Sequence, residues 1–269
     1  RDMPVVVTMF HVVHDPGFAP YRTRAQALYH QCWIKPLEAA VLRRANLITA
    51  TSEYTAKQAH CVFGIRDVAV LPSGVDTDLF RPGADRPPNH PFRLLFVGNW
   101  SRRKGADLLP TIFERLGPDY ELWTTAGLRD RATASALPPN IRVVGRVETT
   151  AELVKLYQES DMLLMPSRLE GFGLSALEAM SCGLPVLATE SSALPELVKH
   201  GINGFLCPVD GREEIIKTIQ NIQQNPARLL ELRRGARAFV LERFEQATVA
   251  LDYAKMYSRL ALTGLGNNT

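Results

Sequence analysis

Glu170-Gly171-Phe172-Gly173-Leu174-Ser175-Ala176-Leu177-Glu178 is the stretch that decides how this chain is read. Two carboxylates stand with seven residues between them, around a glycine-containing loop that opens into a helix. Upstream, Met162-Leu163-Leu164-Met165 is a short apolar run closed by Pro166-Ser167, which predicts a buried strand. Downstream, Cys182-Gly183-Leu184-Pro185 ends the helix with a glycine and a proline. The order strand, loop, helix N-terminus belongs to the crevice at the carboxyl ends of a parallel sheet, where open α/β sheets bind ligands. Helix-start N–H groups and the positive end of the dipole suit that place to an anion such as a diphosphate.

Outward from this block the alternation is regular. Strands are expected at 93–97, 120–125, 141–144, 162–165, 185–189 and 205–207, and helices at 105–116, 150–159, 174–181, 194–199 and 213–223. Apolar strands alternating with helices predict a doubly wound parallel sheet, with Ile215, Ile219 and Ile222 on the inner face of one helix. From 227 to 262 the pattern is wholly helical. Three prolines in 85–91 read as a linker, because proline continues neither element. Before it, strands are expected at 4–9, 47–50 and 68–71. A helix over 32–44 carries the stripe Ile34, Leu37, Ala40, Val41 and Ala45, and Ser52 caps a helix through Phe63. The expected divisions are 1–90, 91–245 and 246–269.

The bulk numbers exclude more than they reveal. A net charge of +3 on 269 residues argues against nucleic acid as a partner. No apolar run reaches the ~18 residues of a membrane-spanning helix. Cys32, Cys61, Cys182 and Cys207 lie far apart, without metal-ligand spacing, and read as buried free thiols of a reducing compartment.

The motif block resembles the signature of the retaining glycosyltransferases of family 4, which have the two-domain GT-B fold. The likeness continues through Leu194-Pro195-Glu196 and Gly201-Ile202-Asn203-Gly204. Upstream it takes in Ala50-Thr51-Ser52, Pro72-Ser73-Gly74-Val75-Asp76, and Phe96-Val97-Gly98 followed by Lys104-Gly105. It implies a Rossmann-like C-terminal domain plus an incomplete N-terminal one. Since the family's glycine-rich opening loop is absent, the expectation is that the start of the N-terminal domain is missing.

Each site residue has an ordinary reading beside the functional one. Ser175 and Glu178 fit a capping box; the resemblance instead gives Glu178 the nucleotide ribose, whose diol suits a bidentate carboxylate. Glu170 is either a solvated loop residue or the carboxylate beside the donor sugar. The two are not a glycosidase pair, which needs both carboxyls flanking one bond. Phe172, Gly173 and Leu174 form the loop between them, where Gly173 permits close approach to phosphate or sugar. Lys104 is expected to neutralise the leaving diphosphate. The family places an arginine directly after Val97-Gly98 and this chain has Asn99, so either Arg102 or Arg103 supplies the missing charge or donor binding is weaker. His11 is assigned to the donor sugar, with His14 in competition. Gly145-Arg146-Val147 is assigned to the nucleobase, and Ser192-Ala193 stands where the family has paired glycines.

The resemblance thus implies transfer from a UDP-, GDP- or ADP-sugar to a glycan or glycolipid, without cofactor or metal, in the cytoplasm or at the inner face of its membrane, with peripheral membrane contact left open. Two alternatives stay on the page: a catalytically weak nucleotide-sugar-binding partner subunit, and another nucleotide-sugar enzyme such as an epimerase.

Overall fold

The computed structural model describes residues 3–125 and 137–266. Contacts divide the chain into two units. The first runs to Gly74 and includes Leu169–Phe172 and the segment from Gln246 onward; the second comprises Val75–Arg168 and Gly173–Glu245.

In the first unit, β1 (Val6–Met9), β2 (Leu47–Ala50) and β3 (Val68–Val70) form a parallel sheet in that order. α3 (Glu53–Phe63) begins at the expected cap, with Ser52 Oγ accepting from Thr55 N at 3.0 Å. The preceding helical run starts earlier than expected, at α1 (Arg24–Tyr29), where Thr23 and Gln26 make a capping box. It passes through a π-turn, His30–Ile34, into α2 (Lys35–Arg44). The expected apolar stripe does not become the inner face: Leu37 and Val41 are exposed and Leu42 is buried. Glu38 lies beside His14, with Oε2 and Nε2 3.2 Å apart.

The second unit holds a parallel sheet of six strands. They are β4 (Phe92–Phe96), β5 (Tyr120–Thr124), β6 (Ile141–Val143), β7 (Met162–Met165), β8 (Val186–Thr189) and β9 (Gly204–Cys207). Their order is β6-β5-β4-β7-β8-β9, so the winding reverses between β4 and β7. The helices are α4 (Leu109–Leu116), α5 (Thr150–Glu159), α6 (Leu174–Ser181), α7 (Leu194–Leu197), α8 (Arg212–Gln223) and α9 (Pro226–Arg243). Leu94, Phe96, Met162, Leu164 and Leu187 pack in one cluster with the inner faces of α4 and α8. The residues between them, Leu95, Leu163, Val186 and Ala188, are also buried but lie outside that cluster. Burial of both strand parities is what a sheet covered on two faces requires, and the expected doubly wound α/β architecture is present.

The proline-rich stretch belongs to the second unit. Asp161, fully buried just before β7, accepts from Arg86 Nη1 and Arg233 Nη2 at 2.9 Å, from Asn89 N and Nδ2, and from Arg93 N. The single helical run expected over 227–262 is two helices, α9 and α10 (Gln246–Gly266). The break falls where Phe244 O accepts from Val75 N at 2.8 Å and Glu245 bridges Val75, taking the backbone out of helical pairing. Cys182 and Cys207 are buried as expected, whereas Cys32 and Cys61 are exposed, on helical segments whose apolar neighbours face outward. No helix among the described residues is long and apolar enough to cross a membrane.

One glycine fixes how the loop after β4 meets the end of β7. Gly105 has φ +71°, and a Cβ there would stand 2.0 Å from Pro166 O. Both the left-handed backbone and the contact exclude a side chain. Gly105→Ala is expected to destabilise the second unit by at least ~2 kcal/mol, the strain of a left-handed alanine plus the backbone shift. Urea unfolding followed by Trp fluorescence measures this; a midpoint unchanged from the parent would show that the two loops are not so tightly apposed.

Candidate functional site

The reversal between β4 and β7 marks the place where a doubly wound sheet binds ligands, beyond the carboxyl ends of the two strands. The loop leaving β4 carries Gly98, Asn99, Arg103 and Lys104; the loop leaving β7 carries Glu170, Phe172 and Gly173 into α6. Several of the expected donor residues do converge in the second unit. Gly98, Asn99, Arg146 and Val147 line one cavity of about 670 Å³ with Val97, Thr125 and the start of α5. The volume lies within the range of small-molecule sites. Lys104 reaches the same place, since a Cβ built on Gly98 would lie 3.7 Å from Lys104 Cε. Thr125, Thr149 and Thr150 line the cavity as well and were not anticipated; their position at a strand end and a helix start was the available signal.

Arg168 ties the two loops together and was also missed. Its guanidinium binds Asp107 through both nitrogens, at 2.7 and 3.0 Å, and Asp210 through Nε at 2.7 Å. It also donates to Arg102 O, and its backbone N–H donates to Arg103 O at 2.8 Å. Burial works against the Asp107 charge, but the Arg168 guanidinium holds that carboxyl below the usual range. The turn Arg102–Lys104, with its three adjacent cations, is thereby held from its backbone.

α6 starts at Leu174 with Gly173 as cap, at φ +104°, and no side chain caps its first turn. The capping box of Ser175 and Glu178 does not form. Ser175 lies inside the helix with Oγ 3.8 Å from Met165 Sδ, and Glu178 Oε2 accepts from Tyr157 Oη at 2.8 Å. A glycine in left-handed conformation begins this helix two residues too early for that box. Burial raises the Glu178 carboxyl above its ordinary pKa, and the Tyr157 hydrogen bond acts in the opposite direction. The Tyr157 phenol is pushed far up by its own burial and by the neighbouring carboxylate.

In the first unit, Glu170 and His11 share one place. Gly171 packs so closely that a Cβ would lie 2.3 Å from Phe10 O and 2.7 Å from His11 Cβ. The hydroxyls of Ser52 and Thr55 both donate to Gly171 O, at 2.7 and 3.1 Å, so the helix cap also anchors this loop tip. Glu170 and Phe172 are buried and His11 is exposed, its ring 5.9 Å from that of Phe18. The two histidines differ in burial. His14 has a side chain only 5% exposed, packed among Glu38, His30 and Phe63. Its pKa is lowered by burial and by nearby Arg22. Ser192 takes φ +49°, so the path that a glycine would give is kept by a serine under strain.

Comparison with known proteins agrees with this geometry. The family model described as "Glycosyl transferases group 1" matches residues 82–239, and "Glycosyltransferase Family 4" matches 1–79. Among curated relatives, a D-inositol 3-phosphate glycosyltransferase of Catenulispora acidiphila is 32% identical over 229 residues, 74% of this chain and 54% of that protein. A glycogen synthase of Mycobacterium tuberculosis is 30% identical over 205 residues, 72% of this chain and 49% of that protein. The chain thus spans about half the length of the curated relatives it matches. Of solved structures, the sucrose-phosphate synthase of Thermosynechococcus elongatus superposes with TM-score 0.81 at 24% identity, over 98% of this chain and 69% of that one. Anabaena HepE in complex with UDP-glucose gives 0.77 at 21% identity, over 96% and 72%. The fold is that of the GT-B glycosyltransferases, and the chain belongs to the glycosyl transferases group 1, glycosyltransferase family 4.

Proposed function

We propose that the protein moves a sugar from a nucleoside-diphosphate sugar to a glycan or lipid-linked acceptor, with retention of anomeric configuration and without a metal ion. The observation that carries this reading is the set of groups around the β4–β7 reversal. It comprises a cavity of nucleoside size, a cationic turn, and a helix start without a side-chain cap, one turn ahead of the half-buried carboxylate of Glu178. In this reading Arg146, Val147 and Gly98 flank the base, with Asn99 beside them, and Glu178 accepts from the ribose hydroxyls. Lys104 and Arg103, with the N-terminal amides of Leu174 and Ser175 after Gly173, meet the diphosphate and its growing negative charge. Glu170 and His11 face the transferred sugar, with Phe172 shaping the loop between sugar and diphosphate. Front-face departure of the diphosphate, its oxygen taking the acceptor proton, supplies retention without a protein nucleophile.

UDP-, GDP- and ADP-sugars are the donors to compare; the UDP-glucose bound by HepE makes UDP the first to try. The setting proposed is the cytoplasm, at its membrane face. The exposed residues Tyr29, Trp33, Leu37 and Val41, near Arg43 and Arg44, support peripheral contact with an anionic lipid surface. The reading as a weak binding partner loses one of its reasons, because Ser192 keeps the backbone path of the glycine it replaces.

The central test is Glu170→Ala in the complete gene product. Turnover should fall by at least ~100-fold, the scale of losing one positioned electrostatic group, while affinity for UDP changes by less than ~3-fold. Nucleoside-diphosphate release and calorimetry measure the two; equal turnover in parent and variant would favour a partner subunit.

A second expectation concerns pH. Glu178 must be ionised to accept from the ribose, and burial places its protonation above the ordinary carboxylate range. Nucleotide affinity should therefore weaken as pH falls while most carboxylates are still charged. Tyr157→Phe removes the hydrogen bond that lowers this pKa, so the decline should begin at higher pH than in the parent. Calorimetric titration with UDP from pH 8 to pH 5 follows it; coincident profiles would remove Glu178 from the ribose site.

A further inference from the structure

The second unit contains another cavity at the opposite end of its sheet, where residues preceding β4, β7 and β8 come together. It encloses about 340 Å³, large enough for a small organic ligand. Its walls are largely apolar: the ring of Tyr157, Cys182 and Leu184 on one side, Leu230, Ala238 and Leu241 of α9 on the other. The Cys182 thiol, its pKa pushed up to about 12 by burial, behaves here as an apolar wall. Leu230 and Leu241 are both more than a third exposed.

The polar part of the lining is one-sided in charge. Arg86, Arg233, Arg234 and Arg237 line it, against Asp85 at the rim and Asp161 beneath. Arg86 and Arg233 share one carboxylate oxygen of Asp161. Arg237 is bound to the carbonyls of Thr77, Phe80 and Ser181. These three guanidiniums are held in place by their own hydrogen bonds, so ordering them on a ligand costs little further entropy. Burial, and then the charge of Arg86, lowers the Arg233 pKa, while Asp161 and Asp85 act in the opposite direction. Arg234 is exposed and makes no hydrogen bond or ion pair among the described residues.

Apolar walls with a surplus of cations along one edge match one kind of molecule, an apolar body carrying a compact anion. We propose that this cavity is a second small-molecule site, for phosphomonoesters of aryl or alkyl groups, with Arg233 and Arg234 as partners of the phosphate. The inference does not rest on the reading given to the donor cleft, although Tyr157, whose ring lines this cavity, also donates to Glu178. Arginine suits the role because its fork binds phosphate oxygens in pairs.

The test is titration of the full chain with phenyl phosphate by heteronuclear NMR, with UDP present in saturating amount to fill the donor cleft. Shifts are expected in residues 82–86 and along α9. Arg234→Glu should weaken binding by at least tenfold, and Ala238→Trp, which fills the cavity, should abolish it. Inorganic phosphate and phenol, each half of the ligand, should bind at least tenfold more weakly than phenyl phosphate. The proposal is overturned if phenyl phosphate leaves these residues unshifted, if inorganic phosphate binds equally well, or if Arg234→Glu binds as the parent does. Arg234 is exposed, so its variant is expected to fold; a thermal melt matching the parent verifies that.

Discussion

The parallel pairing of β4 with β7, in the register Leu94↔Met162 and Leu95↔Leu163, is the constraint on which the candidate site depends. Chain order alone would place β5 and β6 between them. Because β5 and β6 lie on one side of β4, and β7, β8 and β9 on the other, the loops leaving β4 and β7 part in opposite directions above the sheet. That parting creates a crevice without any side chain having to be removed from a core. The pairing is held by apolar residues on both faces, where Leu94, Leu95, Leu163 and Leu164 are fully buried. Each such side chain contributes about 1.5–3 kcal/mol of burial, so the floor of the crevice is among the most stable parts of the unit.

Above that floor the loops are held by polar contacts. Arg168 spends its donors on two carboxylates and a carbonyl, Thr189 Oγ1 donates to Ser167 O, and Ser191 Oγ donates to Arg168 O at 2.6 Å. The close approach of Gly105 to Pro166 removes any remaining slack. A site meant to meet developing charge gains from such fixed geometry, since its dipoles need no reorientation during reaction. The first unit follows the same logic on a smaller scale: one carbonyl, that of Gly171, is gripped by two hydroxyls from the start of α3.

What the sequence made legible follows from periodicity. β7, α5 and α6 were readable residue for residue because an apolar run, a cap and a glycine-proline stop mark their ends without competition. The helix of 24–44 was read less well: Leu42 is buried while Leu37 and Val41 are exposed, and nothing local announces which elements lie against it. The same holds for Arg168, whose partners Asp107 and Asp210 lie on separate loops. The ambiguity between capping box and ligand carboxylate at Glu178 was real, since spacing is identical for both. The capping box is excluded by Tyr157, a residue on a different helix, which holds the carboxylate.

The departures from the family pattern are where local chemistry and backbone have to be weighed separately. Ser192 occupies a left-handed conformation that costs a serine about 1 kcal/mol, so the surrounding packing imposes the loop path and the residue type does not. Asn99 differs in kind, because there a charge is absent and no backbone constraint can replace it. The neighbouring turn carries Arg102, Arg103 and Lys104 in succession, and Arg168 holds that turn through the carbonyl of Arg102 and the backbone of Arg103. A cation displaced by a few residues along a rigid loop can still act on a diphosphate, because Coulombic attraction falls only as the inverse of distance. In the proposed reading, a turn fixed by its main chain is where the charge absent at Asn99 would be replaced.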